Sequence, residues 1–402
     1  MANTILTIDQ ITREALRLAH EKASFIGTIN RQFDDSFAAS GGKSGDTLRI
    51  RYPSEYTRRT GSRVMDVQES VQTSTSLVVA TQDGVDMRFN SREMALDLDN
   101  FSKLHLEPAM AILISNIDSD VLQGCTKSTY NWGGTSGFAI SSLTAPGEAR
   151  TRLNRNLAPK GDRRLQVNSA VMASLVTGVS GYFNPSNALS EQYREGLVAR
   201  TAMADYYENE RTWSMANTTT VTLSTAKLNG YISTNGQTSL NITSLTVTSV
   251  SVGMKFTIGN VNDIHPETKQ SYGVLKQFTV VGVTDVSTFT ISPAIYRTGA
   301  RQNVTGIGVT TSTQALTWLG SPNSTYALGL MYHKDAFTFA TADLPLMADA
   351  AKCVRKTYDG ISLRVWQGSD IRNDELLTRI DILYGFAAIR PAWASVVIGA
   401  SD

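Results

Sequence analysis

Gly41-Gly42-Lys43-Ser44 is the first stretch whose residue types could do chemistry. It has the ending of a phosphate-binding loop, in which backbone amides cradle phosphate and a lysine reaches the outer oxygens. That loop needs another glycine at position 37, where this chain has Phe37, and no hydrophobic strand precedes it. The stretch reads instead as a flexible hinge. The four histidines, His20, His105, His265 and His333, share no helix turn and no metal-ligand spacing. Cys125 and Cys353 are the only cysteines. They give neither a disulfide framework nor a zinc pattern, and a reduced environment is the simple reading. No Gly-x-Ser-x-Gly elbow announces a nucleophile. The expectation is therefore a chain with no catalytic residue, no metal ligand and no cofactor: not an enzyme.

The dense cationic patch is Arg49, Arg51, Arg58, Arg59 and Arg63, interleaved with Tyr52 and Tyr56. Phosphate contact with base stacking is one use of such a pattern. Salt bridges to the carboxylates of another subunit are a second, and a solvated hairpin tip is the third. Subunit contact is favoured, because arginine is enriched at interfaces and a lone two-stranded hairpin needs a support.

The elements that would carry these residues follow from the patterning. Asp9 to Ser24 reads as an amphipathic helix with Ile8, Ile11, Ala15, Leu18 and Ala19 on one face, which must find a partner in this chain or another. Residues 44 to 90 read as a long two-stranded excursion with a charged tip. Asp97 to Gln123 reads as a long helix, with Pro108 near its start and Gly124 as its end. Short helices and strands alternate from 146 to 210: helices over Glu148 to Asn156, Ser169 to Thr177 and Ser186 to Ser190, and a strand at Arg164 to Val167. From about Asn217 to Thr317 the chain turns into Thr/Ser/Val-rich β signal, with runs such as Lys255-Phe256-Thr257-Ile258 and Phe278-Thr279-Val280-Val281. This reads as a small barrel or sandwich inserted into a host domain. Strand elements return over Ala327 to Met331, Ala336 to Ala340, Ile361 to Trp366, Leu376 to Tyr384 and Ala394 to Ile398.

Composition narrows the class. The 402 residues suggest two or three domains, and 41% hydrophobic content is enough for real cores. A net charge of +1 excludes the strongly basic footprint of a dedicated nucleic-acid binder. The apolar run from Pro108 to Ile114 falls far short of the roughly 20 residues that span a bilayer. The first residues, Met1-Ala2-Asn3-Thr4, do not read as a signal peptide.

Taken in order, these segments resemble the major capsid proteins of tailed bacteriophages, whose fold is shared with herpesvirus capsid floors. More narrowly, they resemble the short-tailed-phage branch with an inserted β-domain. The stretches that carry the likeness are Gln192 to Val198 with Tyr206-Tyr207-Glu208, and Val252 to Ile258 with Phe278-Thr279-Val280 and Thr290 to Pro293. To these add Tyr332 to Phe337, and Arg379 to Gly385 with Arg390-Pro391. Arg200 to Ala204 departs from a glycine-containing turn often seen there, and the stretch from Arg297 to Trp318 matches poorly.

The resemblance implies an α+β capsid fold. Its parts would be an N-terminal arm (1–40), an extended loop (41–90), a peripheral domain with a spine helix (91–145 and 345–402), an axial domain (146–216 and 318–344) and an inserted all-β domain (217–317). It implies a subunit that assembles with itself as hexamers and pentamers into an icosahedral shell. Scaffolding and portal proteins would be its partners, and it would enclose double-stranded DNA without reading its sequence and without touching a membrane. The place of action would be the virion, with assembly in the host cytoplasm. Gly41, Gly42, Gly133 and Gly134 are hinge candidates for shell expansion. A cellular encapsulating shell of the same fold, with protein cargo, is the alternative reading.

Overall fold

The computed structural model describes residues 8–31, 47–62, 65, 67, 72–90, 102–179, 204–217, 227–230, 232, 234–243, 250–284, 288–306, 314–347, 352–358, 361–370 and 375–401. It is a mixed α+β fold whose chain divides into two compact units.

The first unit comprises Met1–Ile50, Ser74–Val121 and Phe337–Ile389. Its frame is a five-stranded antiparallel sheet in which Glu375–Ala388 pairs with Phe337–Ala342, Ile361–Asp370 and Thr81–Asn90, while Lys352–Tyr358 pairs with Ile361–Asp370. At ~3.3 Å per residue the 14-residue central strand is long enough to serve three partners. Helix Ile8–Lys22 buries Ile11, Ala15, Leu16, Leu18 and Ala19 and packs on strands Lys352–Tyr358 and Ile361–Asp370. Its apolar face therefore finds its partner in the same chain. Just beyond it, the backbone amides of Phe25 and Ile26 both donate to Asp118 Oδ1 at 2.9 Å, so the buried carboxylate answers two otherwise orphaned donors.

Residues 44 to 90 are not one hairpin. Thr47–Arg51 pairs with Ser74–Val78, but Thr81–Asn90 leaves this ribbon and joins the five-stranded sheet along ten consecutive positions, from Asn90 opposite Glu375 to Thr81 opposite Tyr384. The physical reason is support: a two-stranded ribbon is marginal alone, and a third strand with a buried sheet to join is not.

The second unit comprises Arg51–Thr73, Leu122–Ala336 and Arg390–Asp402. It contains two sheets. The first is mixed, in the order Trp132–Gly133, Ala394–Ser401, Ser324–His333, Arg163–Val167, Asp205–Glu208, with Ser214–Asn217 on the first half of Ser324–His333. The central strand Ser324–His333 is buried from Tyr326 onward. Helices Thr144–Arg155 and Ser169–Val179 contribute Ala149, Leu153, Met172 and Leu175 to a core shared with Leu165, Val167 and Met331.

The second sheet is seven-stranded and antiparallel, and lies wholly within residues 227–318. Its core includes Leu240, Met254, Phe256, Ile258, Phe278, Val280, Phe289, Ile291 and Trp318. Phe256 stands 5.7 Å from Phe278, 5.6 Å from Phe289 and 5.0 Å from Trp318, centroid to centroid, within the range where aromatic pairs attract beyond simple burial. The sheet curls until its ends meet. Lys227 and Ala315 form a single bridge, and Leu228 N donates to Gln314 O at 2.8 Å.

The long helix ends later than Gly124. After an irregular turn at Ser102–Leu106 it runs over Glu107–Ser128. Its start at Asp97, the expected helix at Ser186 to Ser190 and the stretches Gln192 to Val198 and Arg200 to Met203 lie outside the described residues.

Candidate functional site at the helix end and the arginine segment

The helix end is held by side chains rather than by a glycine turn. Thr126 Oγ1 donates to Leu122 O at 2.7 Å, and Ser128 Oγ and Thr129 Oγ1 both donate to Cys125 O, at 2.8 and 2.9 Å. Further along, Thr126 O accepts a local backbone bond from Thr129 N at 3.3 Å, and strands Lys255–Ile264 and Ser271–Val283 of the curled sheet supply additional donors to the last carbonyls. Lys255 Nζ donates to Thr126 O at 3.2 Å and also to Thr129 O. Thr279 Oγ1 donates to Lys127 O at 3.0 Å. Lys255 and Thr279 are cross-strand partners, so one rung of the ladder places both donors over one helix turn.

The next rung on the same face, two along the ladder, continues the junction. Gln277, which pairs with Thr257, accepts from Trp132 N at 2.9 Å through Oε1 and donates to Trp132 O at 3.1 Å through Nε2. Such a reciprocal amide pair aligns a side chain with a backbone as another strand would. Lys127 extends over the Trp213 ring at 5.2 Å, and Gly253 (φ +96°) lies so close that a Cβ there would fall 2.8 Å from Lys127 Cγ.

This junction is dry and charged. Lys255 is 1% exposed, and burial alone pulls its ammonium down to about 7 from the ordinary lysine value. Lys276 and Asp263 form a buried ion pair at 2.7 Å, with the Lys276 ammonium 5.5 Å from the Tyr130 ring centre. Burial first, and the Asp263 charge second, push the Tyr130 hydroxyl far above its usual range.

The arginines expected to meet another subunit are partly in view. Arg49 and Arg51 are exposed on strand Thr47–Arg51, and Arg58 and Arg59 are exposed in the segment that follows. Arg63 lies outside the described residues. The same segment exposes apolar side chains: Tyr56 at 62%, Met65 at 82% and Val67 at 78%. Tyr56 and Arg58 line a groove of about 670 Å³ together with Lys269, Tyr296 and Arg301.

Of the hinge candidates, Gly41 and Gly42 lie outside the described residues. Gly133 and Gly134 sit at a close crossing. Gly133 pairs in parallel with Val397, and a Cβ on it would meet the backbone of Ala149, Glu148 and Ala145 in helix Thr144–Arg155. Gly134 has φ +96°, and a Cβ there would lie 2.8 Å from Ile398 O. Packing alone demands glycine at both positions, so stiffening them with alanine would also distort the fold.

Sequence reasoning missed Lys255 as a functional residue because strand alternation alone places it on the face opposite Phe256, which a free-standing barrel would give to solvent. Among the described residues no cluster of three His, Cys, Asp or Glu side chains could hold a metal, and no helix is long and apolar enough to cross a membrane.

Residues 200–399 match the family model described as P22 coat protein, gene protein 5. That match spans just under half of the chain and is to a coat-protein family. That family is one of structural capsid proteins. Among solved structures the chain is similar to one from Mycobacterium phage Che8, at 11% identity over 93% of this chain and 90% of that one, with a TM-score of 0.49. It is similar to the capsid structure of the cyanophage P-SCSP1u, at 12% identity over 88% and 83%, TM-score 0.42. It is also similar to the CUS-3 coat protein I-domain, at 24% identity over 24% of this chain and 96% of that one, TM-score 0.20. No curated protein matches the chain by sequence.

Proposed function

We propose that this chain is a tailed-bacteriophage coat protein that assembles as hexamers and pentamers into an icosahedral shell around a double-stranded DNA genome, in the manner of the short-tailed phages. The family match over residues 200–399 carries the reading. In this reading the segment from 51 to 73 reaches a neighbouring subunit, with Arg49, Arg51, Arg58, Arg59 and Arg63 meeting its carboxylates. Its exposure of Tyr56, Met65 and Val67 supports this, because apolar side chains left in water gain by burial against a partner. The curled sheet over 227–318 serves as the inserted domain, the long helix as the spine, and the first forty residues as an arm. Scaffolding and portal proteins are the partners during assembly in the host cytoplasm. A net charge of +1 suits a wall that encloses DNA without gripping it.

Negative-stain electron microscopy of the expressed chain, paired with light scattering, tests the proposal. Closed shells, or sheets and tubes of hexameric units, are the expected result, with scaffold added if the subunit alone stays monomeric. A discrete small oligomer that grows no further when crowded and supplied with scaffold would overturn it.

A further inference from the structure

Lys255 places an ionisable group where water does not reach, on acceptors that carry no full charge. Its acceptors are the Thr126 and Thr129 carbonyls at the end of Glu107–Ser128. The groups on the elements around it leave its proton unbalanced. On the helix side Lys127 turns onto the Trp213 ring, and Tyr130 faces Lys276. On the paired strand Lys276 is matched by Asp263 of the Lys255 strand itself, while Gln277 and Thr279 are neutral. On the other side run Leu316–Trp318 and Leu319, whose amide donates to Lys255 O at 2.8 Å. A neutral amine satisfies both carbonyls as donors, and it does so without the cost of a dry charge.

We propose that Lys255 is a proton-controlled latch between the curled sheet and the end of the long helix. The docked amine holds the helix end, and protonation favours release, because a freed lysine in water binds its proton more tightly than the docked one. The sign follows from the lowered value, about 7, against an ordinary lysine value near 10.5. The hold is weakest at and below pH 7 and strengthens as pH rises through the window up to the ordinary lysine value. The attachment of the helix end thereby responds to proton activity between pH 7 and the ordinary lysine value, independently of how subunits are arranged in a shell.

The Trp132 amide, which donates across the junction to Gln277, is the reporter. Its hydrogen-exchange protection in the full chain, normalised for the intrinsic pH dependence of exchange, is expected to rise by up to about tenfold per pH unit between pH 7 and 10. In Lys255→Met that rise should vanish. Equal slopes in the two proteins would overturn the latch. Should Lys255→Met fail to fold, the wild-type chain decides alone: side-chain carbon resonances should show one lysine titrating near pH 7, and titration of every lysine in the ordinary range would overturn the proposal.

Discussion

Lys255 and Thr279 stand directly opposite one another on adjacent antiparallel strands, and both donate to the last turn of a helix more than 120 positions earlier in the chain. A helix terminus normally finds its cap within a few residues of itself. Here a distant rung of β-ladder performs that role, which links the folding of the curled sheet to the length of the helix.

Thr279→Val tests that link with little change of shape. The Lys127 carbonyl would lose its hydroxyl donor in a partly buried place, at a cost of about 0.5–1.5 kcal/mol. Thermal or urea unfolding of the full chain should show this loss. Exchange at residues 126–129 should rise, while the sheet core around Phe289 stays protected.

Gly133→Ala should destabilise rather than merely stiffen. The new methyl meets backbone atoms of helix Thr144–Arg155, which cannot swing away as a flexible side chain would. Overpacking of this kind costs about 1–3 kcal/mol. A lowered unfolding midpoint in the unassembled subunit is the expected observation, and unchanged stability with altered shell maturation would instead favour a hinge.

The five-stranded sheet carries its own buried charge pair. Arg364 and Asp381 are cross-strand partners with Arg364 Nη2 on Asp381 Oδ2 at 2.5 Å, both side chains at most 5% exposed. Arg364→Met leaves a dry carboxylate alone and should cost about 3–5 kcal/mol. The double variant Arg364→Met with Asp381→Leu should recover much of that loss, since a paired buried charge stabilises little beyond an apolar replacement. Denaturation of the single and double variants measures both.

Charge reversal on the exposed arginines separates assembly from folding. Arg51→Glu with Arg58→Glu touches exposed side chains, and the unassembled subunit should keep its stability to within about 0.5 kcal/mol. Shell formation followed by light scattering should slow or stop. Normal assembly kinetics would remove these residues from the subunit contact.

Much of this architecture was legible in the residues. The alternation in Lys255-Phe256-Thr257-Ile258 and Phe278-Thr279-Val280 announces strands with one aromatic face, and Phe256 and Phe278 are indeed the stacked centre of the sheet core. The apolar stripe of the first helix was equally plain, but a stripe does not say what covers it, and strands some 340 residues later do so. The helix end was misplaced because Gly124 carries a local stop signal. Neighbouring hydroxyls and a distant lysine outweigh it, and a tertiary cap of that sort has no signature in the helix's own sequence. Lys255 escaped notice for the same reason. Strand alternation separates the two faces of a sheet; it does not tell which of them a neighbouring element will cover.

The bridge between Lys227 and Ala315 bears on how the subunit survives before it is built into anything. A segment this rich in threonine and valine is the sort that adds strands from strangers when an edge lies open. Where the sheet meets itself, the bridge and the bond from Leu228 N to Gln314 O occupy backbone groups of those outer strands. At that seam the module shows to other molecules the chemistry of its side chains, which can be particular about its partners, rather than open peptide groups, which cannot.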